Sequence, residues 1–275
     1  LTAFAIDGAL HVSAVSPAGD ILWQTEVGPY DAQHGFGSSP CVWGLLVIVL
    51  GDSSPEGFLA GLDRTTGEIV WRVARRNGSS YSSPHIAEVG GAEQVLVSAK
   101  QKVVAYDPAS GAELWTGTGP AGTTANTMVD TPGLLFATGG FPQQNIMALR
   151  ADGSGEVVWK RPYKAYVPSP LVIDDMLVAV LDNGVARCFS TADGAELWTR
   201  RLSGDMSASP LLVGGLVYAV NEQGRTFVLD PRAKGKILFE NDLGEPVLAS
   251  PVAVGECLYL RTEQNLYCIA AATAE

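Results

Sequence analysis

A nine-residue pattern, Asp-x-x-x-Gly-x-x-x-Trp, recurs along this chain and constrains its fold more than any other feature. It is complete at Asp63/Gly67/Trp71 and at Asp107/Gly111/Trp115. Copies that keep only the Gly and Trp lie at Gly19/Trp23, Gly155/Trp159 and Gly194/Trp198. A sixth, Asp230/Gly235/Phe239, carries one inserted residue and replaces the Trp with Phe. The six aromatic positions are 48, 44, 44, 39 and 41 residues apart. A second marker keeps the same period: Ser39-Pro40, Ser83-Pro84, Ser169-Pro170, Ser209-Pro210 and Ser250-Pro251, with the missing member expected near Met128. Self-similarity at a fixed period of this length means stacked units, each of which buries its apolar surface against its neighbours.

Between the markers the pattern reads as strand throughout. Each Ser-Pro is followed by a short apolar run, a Gly or Asp turn, and a second run such as residues 45–50, 177–180 or 216–220. A third run follows, as at residues 103–106 and 226–229, and the Gly turn then leads into the strand that carries the Trp. Four short strands per period, with turn residues between them, describe the blade of an all-β propeller. Five full blades are expected from about residues 38, 82, 126, 168 and 207. Three strands precede them (1–6, 10–15, 21–27) and three follow (251–254, 257–261, 265–270). That total favours seven four-stranded antiparallel blades in a single domain, residues 1–275, with the first and last blades incomplete. Six or eight blades are the alternatives, as is a blade completed by strands from both termini.

Each marker has a physical reason. The Asp side chain can accept hydrogen bonds from backbone N–H groups two residues on, and the Gly supplies a positive φ, so together they reverse the chain between third and fourth strands. A large ring on the fourth strand can fill the gap between neighbouring blades, which assigns Trp23, Trp71, Trp115, Trp159, Trp198 and Phe239 to structure. Proline at a strand start loses least by lacking its N–H.

Composition narrows the partner classes. With 18 Lys+Arg against 29 Asp+Glu, the formal charge is −11, which argues against nucleic acid as a partner. The longest apolar stretch, residues 41–51, falls far short of a membrane span, so no transmembrane segment is expected. The chain opens inside a strand, with neither an initiator Met nor the pattern of a signal peptide.

The segment Ala105-Tyr106-Asp107…Gly111…Trp115, with Ser-Pro before each first strand, resembles the pyrroloquinoline-quinone-like (PQQ-like) propeller repeat. The resemblance runs over nearly the whole chain. It implies a bacterial protein in a periplasmic or extracellular setting. The family contains quinone-dependent alcohol and sugar dehydrogenases, an outer-membrane assembly lipoprotein, kinase sensor domains and secreted proteins, and fold alone does not choose among them. The dehydrogenases of this family hold their quinone beneath a disulfide between adjacent cysteines. Cys41, Cys188, Cys257 and Cys268 include no adjacent pair, and no Cys-x-x-Cys-His haem motif is present. The resemblance therefore implies a non-catalytic binding scaffold without PQQ or another cofactor. The alternatives are a small propeller enzyme acting on a sugar or alcohol in the axial funnel, and a sensor domain of a larger protein.

No sequence motif marks a catalytic residue. Gly153-Ser154-Gly155 falls in a blade turn, and phosphate-binding loops are missing. Of the three histidines, His11 reads as structural, while His34 and His85 flank the Ser-Pro marker in consecutive blades and suggest a polar channel mouth. A metal centre would need further ligands that the spacing does not supply. The loops joining one blade to the next hold Tyr30, Asp31, Arg75, Arg76, Tyr81, Tyr163, Lys164, Tyr166 and Asp205. Loops between second and third strands add residues 52–57 and 141–144, expected to open on the same face. Tyr and Arg on variable loops over a rigid scaffold are typical of binding surfaces, so Tyr30, Asp31, His34, Arg75, Arg76, Tyr81, His85, Tyr163, Lys164 and Tyr166 are the candidate binding residues for a protein or small polar ligand. Finally, Cys257 and Cys268 lie on the two strands of one hairpin, diagonal to each other on one face, where a strained disulfide is geometrically open.

Overall fold

A computed structural model describes residues 1–76 and 78–270. Among these, 26 strands form seven antiparallel sheets, five of four strands and two of three. The first sheet is β1 (Thr2–Ile6), β2 (Ala9–Val15) and β3 (Ile21–Pro29). Four-stranded sheets follow: β4 (Cys41–Trp43) to β7 (Ile69–Arg75), β8 (His85–Val89) to β11 (Glu113–Thr118), and β12 (Val129–Thr131) to β15 (Val157–Arg161). Next come β16 (Leu171–Ile173) to β19 (Glu196–Arg201), and β20 (Leu211–Val213) to β23 (Lys236–Asp242). The last sheet is β24 (Val252–Val254), β25 (Cys257–Arg261) and β26 (Leu266–Ala270). In every sheet, strands adjacent in the chain are adjacent in space. Among the described residues no helix is long and apolar enough to cross a membrane. The chain divides into two compact units, Leu1–Lys160 and Arg161–Glu275.

Burial explains why the inner strands read as continuous apolar runs. Five of six residues in β5 (Leu46–Gly51) and six of seven in β6 (Gly57–Asp63) are buried, because both faces of their sheet are covered. On one face Val47, Val49, Phe58 and Ala60 pack with Leu10 and Val12 of the first sheet. On the other, Ile48, Leu50 and Leu59 pack with Val95, Val97 and Val104 of the third. The third sheet then meets the fourth through Leu96, Val103, Leu135 and Met147. In the second unit, Val178, Val180 and Cys188 pack with Val217, Ala219 and Phe227. Val220 and Val247 meet Leu258, Leu260 and Tyr267. The fourth strands β7, β15 and β19 are covered on one side, where Trp71, Trp159 and Trp198 are buried.

The two halves of the nine-residue pattern are partners across neighbouring sheets. Trp23 Nε1 donates to the Arg64 carbonyl at 3.0 Å, Trp71 to Pro108 at 3.1 Å and Trp198 to Pro231 at 3.0 Å. Each acceptor belongs to the Asp-Gly turn of the following sheet. The ring lies on the turn glycine itself: a Cβ at Gly67, Gly111 or Gly235 would stand 2.5, 2.5 or 2.6 Å from the Trp23, Trp71 or Trp198 ring. The same glycines have φ of +78, +73 and +66°. The Asp does what the sequence suggests: Asp63 Oδ1 accepts from the Thr65 and Thr66 N–H groups at 2.7 and 3.0 Å, and Asp107 Oδ1 from Ala109 at 2.7 Å. Trp159 is buried, with its ring 5.9 Å from that of Phe136.

Phe239 departs from the structural role read for it. It is 61% exposed, on β23. The Ser-Pro marker also has a role that its proline does not explain. The Ser39 N–H donates to Ser83 Oγ at 2.8 Å, Ser169 N–H to Ser209 Oγ at 2.9 Å, and Ser209 N–H to Ser250 Oγ at 2.9 Å. Three of the marker serines, Ser39, Ser169 and Ser209, thus bond the next one, stitching the starts of first strands together.

Candidate functional site

In the first unit three connections converge. The β3–β4 loop carries Tyr30 and Asp31, residues 52–56 join β5 to β6, and Arg76 follows β7. They line a cleft of about 680 Å3. The Ser54 N–H donates to the Asp31 carbonyl at 3.4 Å, and Ser53 Oγ donates to the Glu56 carbonyl at 2.9 Å, so the loops brace one another. Tyr30 is 5% exposed, its hydroxyl donating to the Gly35 carbonyl at 3.0 Å. Burial, reinforced by Tyr81 and Asp52, pushes its phenol up to about 12. Asp31, Glu56 and Arg76 are the exposed charges around it.

Arg75 does not join this surface. It is the last residue of β7 and is 2% exposed, so it belongs to the floor rather than to a loop. Its guanidinium holds Asp52 through Nε–Oδ1 at 2.7 Å and Nη2–Oδ2 at 3.0 Å, and also bonds the Tyr106 hydroxyl. Burial raises the Asp52 carboxyl, and the Arg75 charge pulls it back down. This bidentate pair fixes the 52–56 loop from below. Sequence alone places Arg75 among the binding residues and Asp52 in an open loop, because nothing in one strand reports the partner on another.

The histidines separate in the same way. His11 stacks on Phe4 with centroids 5.6 Å apart. His34 is exposed, its ring 5.6 Å from that of Tyr81. The Tyr81 N–H donates to the Thr124 carbonyl at 2.9 Å, which ties the next inter-blade loop down. His85, at the start of β8, meets Asp130 of β12 through Nε2–Oδ1 at 2.7 Å, a half-buried pair linking two first strands. Asp130 was missed because the fourth sheet lacks the Ser-Pro marker that would have aligned it with His85. Phe141, in the loop at residues 141–144, is 62% exposed. Among the described residues no group of three or more His, Cys, Asp or Glu is placed to hold a metal ion.

The second unit repeats the plan with different chemistry. Its cleft, about 450 Å3, is lined by Lys164, Asp182, Asp205, Ser207 and Glu222 among others. Lys164 Nζ lies 3.8 Å from Asp182 Oδ1, and Asp182 Oδ2 accepts the Tyr166 N–H at 2.8 Å. Ser207 Oγ donates to Glu222 Oε1 at 2.6 Å. Tyr163 stands apart from this cleft: its ring carries the Arg187 guanidinium 4.0 Å above the centroid and packs 5.7 Å from Phe189. Sequence reasoning named Lys164 and Asp205 but not Asp182 or Glu222, which sit in second-to-third-strand loops of the fifth and sixth sheets.

A family model described as outer membrane protein assembly factor BamB, of the PQQ-like repeat class, matches residues 2–200, 142–233 and 182–275. The chain belongs to this family. BamB of Shewanella oneidensis is 26% identical over 215 residues, covering 71% of this chain and 51% of that protein. BamB of Bordetella pertussis is 25% identical over 255 residues, covering 88% and 62%, and that of Yersinia pestis 24% over 250, covering 81% and 61%. The chain thus spans between half and two thirds of the length of these relatives. The crystal structure of BamB from Moraxella catarrhalis superposes with a TM-score of 0.74 at 18% identity, covering 94% of this chain and 77% of that one. The computationally designed Ika8 protein gives 0.67 at 13% identity, covering 97% and 82%. These likenesses show the fold, a β-propeller of antiparallel blades, as the repeat implied.

Proposed function

We infer that residues 1–275 serve as a non-catalytic propeller scaffold that binds a protein partner in the periplasm of a bacterial envelope, in the assembly of outer membrane proteins. Membership of the BamB family, and the assembly role its relatives are named for, support the setting. The observation that carries the binding reading is the cleft at Tyr30, Asp31, Glu56 and Arg76. Mixed charge is presented there, above the buried Tyr30, by loops that are braced together and anchored on a buried Asp52–Arg75 pair. A rigid base under an exposed Arg lowers the entropy lost on docking. His34 and Tyr81 extend this surface, and Lys164 with Tyr166 offers a second one in the other unit.

The test uses a photo-crosslinking residue placed at Arg76 or at Tyr81, and in a separate variant at Thr65 of the Asp-Gly turn. Adducts to one protein of the outer membrane assembly machinery from positions 76 and 81, with none from 65, are expected. Arg76→Ala with Tyr81→Ala should weaken that complex while the melting temperature stays within a degree or two. Adducts confined to position 65 would place the partner on the turns and overturn this assignment.

A further inference from the structure

The last sheet carries two thiols that the scaffold role does not use. Cys41 and Cys188 are core residues whose thiols burial pushes up to about 12, as expected of inert cysteines. Cys257 and Cys268 are different: they sit on the hairpin β25–β26, half-buried and exposed respectively, and both are free. The register pairs Cys257 with Ala270 and Tyr259 with Cys268, which puts the two cysteines on the same face, one diagonal step apart. The opposite face, with Leu258, Leu260 and Tyr267, is the one that packs inward. The neighbouring Cys268 thiol raises that of Cys257 above its ordinary value.

We propose that Cys257 and Cys268 form a redox-active dithiol that closes to an intramolecular disulfide when it meets a small-molecule disulfide such as oxidised glutathione. Diagonal neighbours on an antiparallel pair lie about 7–8 Å apart at Cα, just beyond the span a relaxed disulfide accepts. Closure therefore draws β26 toward its partner. That movement is open to it, because β26 is the edge strand of its sheet among the described residues and pairs with β25 alone. The chemistry balances in two exchanges. The more exposed Cys268, as thiolate, attacks one sulfur of oxidised glutathione and releases the first glutathione thiolate. Cys257, giving up its proton to solvent, then attacks Cys268 Sγ and releases the second. The protein loses two electrons and two protons, and the glutathione disulfide gains the electrons. A bridge on a displaced edge strand is of the labile kind that mild reductants reopen.

Intact protein equilibrated with oxidised and reduced glutathione, then quenched and digested, tests this directly. Trypsin cuts after Lys236 and Arg261, so Cys257 and Cys268 fall on separate peptides, one of residues 237–261 and one that begins at Thr262. Closure joins them, removes both from maleimide labelling in the monomer, leaves Cys41 and Cys188 unchanged, and is reversed by reduced glutathione. Cys257→Ser should stop at a stable glutathione adduct on Cys268. A wild-type protein that retains that same adduct, links between molecules, or keeps both thiols free under conditions that modify the Cys257→Ser variant would overturn the proposal.

Discussion

Gly111→Ala isolates the contact that ties one blade to the next. The substitution meets two separate penalties. At φ +73° an alanine sits in the left-handed region, which costs about 1–2 kcal/mol. Its Cβ would also stand 2.5 Å from Trp71 Cε3 and 2.8 Å from Cζ3, where carbon atoms prefer about 3.5–4.0 Å. The ring must therefore retreat by roughly 1 Å. It has little room: Trp71 is 9% exposed, packed among Ile48, Leu50 and Val97, and held by its bond to the Pro108 carbonyl. Overpacking of this kind costs about 1–3 kcal/mol, so the total is about 2–5 kcal/mol. Gly91 is the internal control. It lies in the same blade, at φ +82°, and a Cβ added there would meet nothing within 4 Å. Gly91→Ala should show the strain alone, about 1–2 kcal/mol. Urea denaturation followed by tryptophan fluorescence measures both. In a Trp71→Ala background the excess cost of Gly111→Ala should vanish, giving a coupling of about 1–3 kcal/mol. Equal costs for the two glycines in the wild type, or an excess that survives loss of Trp71, would refute the ring-on-glycine account.

The other predictions concern the ring and the floor of the cleft. Trp71→Ala should cost about 3–5 kcal/mol, whereas Phe239→Ala, at a position 61% exposed, should stay within about 0.5 kcal/mol; urea midpoints of the two variants decide it, and similar losses would show that Phe239 is structural after all. Arg75→Met leaves the Asp52 carboxylate buried without its partner and should cost about 3–5 kcal/mol. Adding Asp52→Leu should restore most of that loss, and a double variant as unstable as the single one would mean that the charge is not the reason.

How much of this was legible follows from what a single blade contains. The strands were readable because both faces of β5, β6, β13 (Leu134–Gly139) and β17 (Met176–Leu181) are covered, which leaves uninterrupted apolar runs between turn residues. The Asp-Gly turns were readable because their bonds are local: the Asp63 carboxylate reaches N–H groups two and three residues away. Even the incomplete end sheets could be counted. Phe239 could not be placed by the same logic. A repeat position tells which residue faces a neighbour, and the burial that follows depends on contacts the repeat phase alone does not give.

The residues that line the proposed surface were half legible, and the missing half is of one kind. Tyr30, Asp31 and Arg76, which the structure brings to one cleft, could be named because polar and aromatic residues stand out in loops between apolar strands. Arg75 was misplaced by one position: it ends β7, and the alternation that buries Trp71, half-buries Val73 and buries Arg75 turns it inward. Continuing the strand's period through Arg75 would have flagged a buried charge, and a buried charge demands a partner. The partner, Asp52, is 23 residues away in sequence. The same holds for His85 with Asp130, 45 residues apart, and for the marker serines Ser83, Ser209 and Ser250, whose hydroxyls accept an N–H from the preceding blade 40 to 44 residues earlier. In a chain with a period near 40, residues one repeat apart are spatial neighbours. The repeat that reveals the fold therefore also supplies the contact map: a polar residue that recurs at one phase is to be sought as the partner of its own next copy. Read that way, the serine of the Ser-Pro marker is explained by its hydroxyl as much as by the proline that follows it. A Ser209→Ala change, which removes an acceptor and leaves the proline in place, acts on that hydroxyl alone.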